Sequence, residues 1–189
     1  MIKRILATFA VLAVLAVTAV AVYAETATVT VTGGTLSVTP ANVTLSAVTL
    51  DGTDQLSTSA SGSNSWSATD ARGTGAGWNL TIDSTDFTDG GTPVRTINIS
   101  AADQQFKIQL LDANIAVTAG NTKPTSSATT LTAIPEAPAA GLKFVSAAAD
   151  TGMGTYAINP NFELAVPAET YVGTGTYTAT VTVSAVSGP

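Results

Sequence analysis

From Asp70 to Phe87 the chain reads DARGTGAGWNLTIDSTDF, with Gly73, Gly75 and Gly77 running directly into Trp78 and Leu80. A glycine loop that cradles phosphate has to open a helix whose N-terminus faces the anion. Here WNLTID follows, alternating as a half-buried strand does, and the stretch holds no Lys-Ser/Thr pair. The phosphate reading fails. Asp83, Asp86 and Asp89 are calcium candidates by composition, but their spacing is not that of an EF-hand and no twelfth-position Glu follows. Aspartates at a strand end followed by Gly90-Gly91 are turn residues first, so neither a metal nor another cofactor is expected.

What remains is a turn or bulge feeding a strand. Glycines at alternate positions leave one side of an extended segment bare, which lets another backbone or a flat ligand come close. Trp78, Leu80 and Ile82 then share a face, and that face is either core or a sheet edge. At an edge, the Trp78 ring would stack on a sugar or a partner protein while Asp70 or Arg72 supplies hydrogen bonds.

The 189 residues contain no cysteine and no histidine, which removes disulfides, thiolate zinc sites, cysteine nucleophiles and histidine-based triads. Lys3 and Arg4 precede an apolar run from Ile5 to Val22, and small residues close it at VYA, ending at Ala24. This is the pattern of a cleavable export signal over residues 1–24, the alternative being an uncleaved membrane anchor. No second apolar span follows, so no stable membrane span is expected after cleavage. No sortase signal is seen either, and retention outside the cell is expected to be non-covalent. Without Lys3 and Arg4, five basic residues face 13 acidic ones, a net charge of −8 that argues against nucleic acid as a partner.

Past residue 25 the chain is a series of short alternating segments separated by Gly, Pro, Asn and Asp. Residues 26–32, 42–50, 64–70, 77–83, 105–111, 114–119, 142–147, 154–160, 162–167 and 175–186 all fit strands, and none has a helical period. In the last segment Tyr177, Ala179, Val181 and Val183 alternate with threonines, giving one apolar and one hydroxyl-rich face. About ten short strands in residues 25–189 predict one all-β domain, an antiparallel β-sandwich. Residues 120–141 are the least patterned and are read as a long surface loop or insertion.

Trp78-Asn79-Leu80, approached through TDARGTGAG, resembles the signature of the WxL-domain surface proteins of Gram-positive bacteria. The block from Gly152 to Pro189, with its Gly-Thr-Tyr strands and VPA step, is similar to that family's closing segment. The resemblance implies an extracellular protein held non-covalently at the cell wall, with peptidoglycan as partner and other cell-surface proteins beside it. It makes Trp78, Leu80, Asp70, Arg72, Gly73, Gly75 and Gly77 the candidates for wall or partner binding. Family members commonly carry a second Trp-x-Leu in the final strand, where this chain has Val183-Ser184-Ala185; if attachment needs both motifs, this departure is expected to weaken or alter it. Trp66 is the candidate compensating aromatic.

Two further readings come from other classes. Thr-rich strands at both termini suit a structural subunit of an extracellular filament or coat. Glu163 and Glu169 are the carboxylate pair a glycosidase would need, but acidic residues this scattered belong in turns, and an enzyme is not expected.

Overall fold

The computed structural model describes residues 25–189, and the export-signal reading falls on residues 1–24, outside the described residues. The unit Thr32–Pro189 is all-β. Its strands are β1 (Leu36–Thr39), β2 (Gln55–Thr58), β3 (Trp66–Asp70), β4 (Trp78–Ser84), β5 (Phe87–Thr88), β6 (Thr96–Ile97) and β7 (Phe106–Gln109). After a short 3-10 turn at Asp112–Asn114 come β8 (Ile115–Gly120), β9 (Thr125–Ser126), β10 (Thr132–Ala133), β11 (Leu142–Ala147), β12 (Gly154–Ile158), β13 (Asn161–Val166) and β14 (Val181–Ser187). They form three four-stranded sheets, ordered β1-β3-β12-β8, β10-β7-β13-β2 and β14-β4-β11-β9, with a small β5-β6 pair. Every pairing of these strands is antiparallel.

The period-two pattern puts side chains where the alternation predicts. Along β4 every second residue, Trp78, Leu80, Ile82 and Ser84, is buried, and β12 and β13 repeat this with Tyr156, Ile158, Phe162 and Leu164. A bulge between Lys143 and Val145 in the β11–β4 register accompanies the burial of both Phe144 and Val145. Phe144 meets the Trp66 ring edge-on at 6.0 Å, so β11 and β3 of different sheets share one core. Phe162 and Phe106 extend it, stacked at 5.5 Å.

Three expectations are corrected. Residues 26–32 form no strand, and neither do residues 42–50, whose one ladder contact is a bridge from Leu45 to Ser59. Alternation reports a half-buried or strand-ready surface; a strand also needs a partner backbone, and these segments lack a continuous one among the described residues. Residues 120–141 are not a plain surface loop. They hold β9 and β10 and bury Ala128 and Ile134 in the core.

Candidate functional site

The sequence-predicted residues gather at one end of β4. Trp78 and Leu80 are fully buried, and the indole N–H of Trp78 donates to the Gly152 carbonyl at 2.8 Å. Its ring lies 6.2 Å from that of Tyr156. Of the two readings of this face, core is the one observed. The glycine track is not extended: Gly73, Gly75 and Gly77 all have φ near +70°, at 70°, 65° and 70°. Close approach is nevertheless real at two of them. A Cβ on Gly75 would stand 2.6 Å from the Asp150 carboxylate and one on Gly77 2.6 Å from the Ala147 carbonyl, whereas Gly73 has open space around it.

Asp70 and Arg72 lock this end together. The guanidinium grips the Asp70 carboxylate with Nε and Nη2, both at 2.9 Å, and Nη2 also donates to the Gly77 carbonyl at 2.8 Å while Nη1 reaches Ser187 Oγ. The Asp70 side chain is 1% exposed. Its hydrogen bonds from the Arg72 side chain outweigh burial and hold the carboxyl below the ordinary aspartate range, and the same bond raises Arg72. The pair therefore fastens the turn and the last strand rather than offering free donors to a ligand.

The final strand explains where the missing second motif would lie. Val183, Ser184 and Ala185 pair with Ile82, Thr81 and Leu80, directly beside the Trp-x-Leu strand, and Asn79 Nδ2 bonds the Gly188 carbonyl at 2.9 Å. Trp66 stands in a different aromatic group, on Phe144 and Phe162, with its N–H donated to Ala41 O at 3.1 Å.

The aspartates go separate ways. Asp89 takes the N–H groups of Gly91, Arg95 and Thr174, which hold it below its usual value, with the Arg95 bond the largest cause. Asp86 accepts from Ile99 N and Asp83 faces Thr182 across the β4–β14 ladder. Among the described residues no three acidic groups converge on a metal position. Glu163 pairs across the sheet with Lys107, and Glu169 sits in an exposed turn closed by Thr170 N on Pro167 O.

A feature that the motif reading missed lies at the other end of the sheets. An apolar groove of about 740 Å³ opens between residues 40–50 and 170–181, floored by Trp66, Phe87, Phe106 and Leu164. Val43, Leu45 and Val48 on one lip, and Tyr177 and Ala179 on the other, are only partly buried. The sequence showed the apolar alternation of Asn42 to Leu50; that this face forms no strand is seen only in the structure.

The model of the family described as WxL domain, surface cell wall-binding, matches residues 25–189. The chain belongs to the WxL domain family. It is thus a cell-surface, cell wall-binding protein of a binding family, not an enzyme family. No curated protein and no solved structure matches it. In this WxL domain the name-giving Trp and Leu are interior residues, and the surface above them is made by Gly73, Thr74 and Ala76 facing Ala148 to Asp150. Among the described residues no helix is long and apolar enough to cross a membrane.

Proposed function

We propose that the protein is exported by cleavage near Glu25 and attaches non-covalently to peptidoglycan of the Gram-positive wall, beside other surface proteins. The observation that carries this reading is the family match over the whole of residues 25–189. Trp78 and Leu80 act by building the contact surface rather than touching the wall. The Trp78 N–H fixes the turn at Gly152, Asp150 N bonds Gly75 O at 2.8 Å, and the exposed rim of Thr74, Ala76 and Asp150 meets the polymer. Arg72 and Gly73 flank that rim. With eight net negative charges on residues 25–189, long-range forces oppose approach to anionic wall polymers, so short-range contacts dominate.

Retention on purified walls, before and after removal of teichoic acids, tests the reading. Binding is expected to persist on stripped peptidoglycan and to hold or rise from low to moderate salt. Loss on stripping would transfer the partner role to the teichoic acid. A Thr74→Asp/Ala76→Asp variant, altered only at exposed positions, is expected to fold normally and lose retention; undiminished retention would remove the rim from the contact.

A further inference from the structure

The groove and residues 26–32 have complementary features. The segment reads TATVTVT, with Ala27, Val29 and Val31 on one side and threonines on the other, and it forms no strand. Val29 is 87% exposed and Val31 86%. Seven such residues extended span about 23 Å and offer a full ladder of backbone donors and acceptors. The groove is apolar, its floor is the inner core, and not one Asp, Glu, Lys or Arg lines it. In a chain with 13 acidic residues, that neutrality selects against charged glycopolymers and favours an uncharged apolar strand. Along the lip from Asn42 to Leu50 the backbone bonds seen among the described residues centre on the bridge of Leu45 to Ser59: Ser46 N donates to Thr58 O and Ser46 O accepts from Ser57 Oγ, and the rest of the lip has no ladder partner.

We propose that the groove accepts residues Thr26–Thr32 of a second copy of this chain as an added β-strand, with Val29 and Val31 seated towards Trp66 and Phe106. Strand addition of this kind draws affinity from main-chain hydrogen bonds and selectivity from alternate side chains. The register sets the direction. The chain enters the fold at Gly34, whose N–H bonds Ala71 O, close to Arg72, and Leu36 pairs with Asp70. The groove lies past the opposite ends of the same strands, where Thr39 pairs with Ser67 and Val181 with Ser84. Within the unit Thr32–Pro189 the point where the donor segment is attached and the groove thus lie at opposite ends, so donation to a second copy leaves the donor's own groove open to a third, a head-to-tail contact that propagates rather than closing as a two-fold dimer. This assembly is independent of wall attachment, and a copy that cannot donate its strand keeps its wall-facing rim.

The absence of cysteine makes the test direct. Val29→Cys in one preparation and Val43→Cys in another each introduce one thiol. Mixed and oxidised, they are expected to yield a cross-linked heterodimer in excess of either homodimer, and the double variant is expected to yield a ladder of multimers. A double variant that stays monomeric with its thiols joined within one chain would assign the groove to the chain's own segment and overturn the proposal. Light scattering of the unmodified protein should show mass growing with concentration. Val29→Asp/Val31→Asp, confined to exposed positions, should raise the concentration required at least about tenfold while leaving the melting curve and wall retention unchanged. A protein that remains monomeric at all concentrations, or a groove that instead takes up a small apolar dye regardless of the valine changes, would also refute it.

Discussion

Trp66 and Trp78 are both buried indoles whose N–H meets a backbone carbonyl, yet they sit in opposite kinds of surroundings. Around Trp78, β4 is paired on both sides, glycines let the turns close against each other, and the one charged pair is fully hydrogen-bonded. Around Trp66, two irregular segments flank an apolar groove. The sequence is apolar in both places. Their own strands are alike, since β3 lies between β1 and β12 as β4 lies between β14 and β11; what distinguishes the two ends is the segments over the rings, and irregular segments over an apolar floor leave a place for something else to bind.

The largest effect expected is from truncating the two indoles. Trp78→Ala should cost about 5 kcal/mol, the upper end for a large aromatic in a rigid site that cannot collapse, while Trp66→Ala should fall nearer 3 kcal/mol because the groove lips can relax into the space. Urea melts of both variants check it. Equal costs would break the contrast between a closed and an open end. If the rim is the wall contact as proposed, wall retention by Trp78→Ala should fall in step with the folded fraction, since the ring is buried beneath that rim.

The glycines give a sharper version at one end of β4. A Cβ on Gly152, at φ +70°, would lie 2.3 Å from that of Ala147 and 2.8 Å from the Trp78 indole nitrogen. Gly152→Ala should therefore combine backbone strain with overpacking, about 2–4 kcal/mol. Gly73→Ala has the same φ and open space, leaving only the conformational term of about 1–2 kcal/mol. Thermal or denaturant melts that rank them the other way would show that the 73–77 turn, not the Gly152 contact, limits this end.

Arg72→Ala should cost about 1.5–3 kcal/mol at neutral pH, the range for hydrogen bonds to a charged group, because it strands a buried carboxylate. The pH dependence follows from the lowered Asp70 pKa. In the native protein its stabilisation is complete above the unfolded value of about 3.9 and is lost as pH falls through the lower folded value. Without Arg72, burial disfavours the charged carboxyl, so protonation helps the variant. The gap between the two proteins should be widest near pH 7 and narrow below about pH 4. A gap independent of pH would mean that Arg72 matters through Ser187 and Gly77 alone.

These contrasts also separate what the sequence made legible from what it did not. The strand through Trp78, Leu80 and Ile82, the Tyr156 strand and the inward face of Tyr177 to Val183 were readable because period-two burial leaves its mark in residue type. Asp89 was readable as a turn residue: its carboxylate takes Gly91 N, two residues on. The unpaired state of residues 26–32 and 42–50 was not readable, since alternation is identical in a paired and an unpaired strand. Nor was the packing of Ala128 and Ile134, single apolar residues in a stretch too short to show any period. The motif marked a closely packed end of β4, but residue type alone did not decide between an exposed ring and a buried ring that holds up a turn.

The smallest effect concerns the groove lip, where stability and assembly should come apart. Tyr171 is 63% exposed, its ring lies 4.1 Å from the Arg95 guanidinium carbon, and its carbonyl takes the Tyr177 hydroxyl at 2.6 Å. An exposed cation–π contact of this kind contributes about 0.5–1 kcal/mol. Arg95→Ala should lose no more than that, because the Arg95 main-chain N–H still bonds Asp89 and the fold of the 89–95 turn survives. Its consequence for self-association should be larger in proportion. Tyr171 and Val172 line the groove, and releasing the ring lets the lip close over the apolar floor, raising the concentration at which mass begins to grow. Light scattering beside a urea melt on the same sample measures both quantities. A variant that loses stability but assembles normally would show that the lip belongs to the closed part of the molecule after all, and the contrast between the two tryptophan ends would then stop short of residue 171.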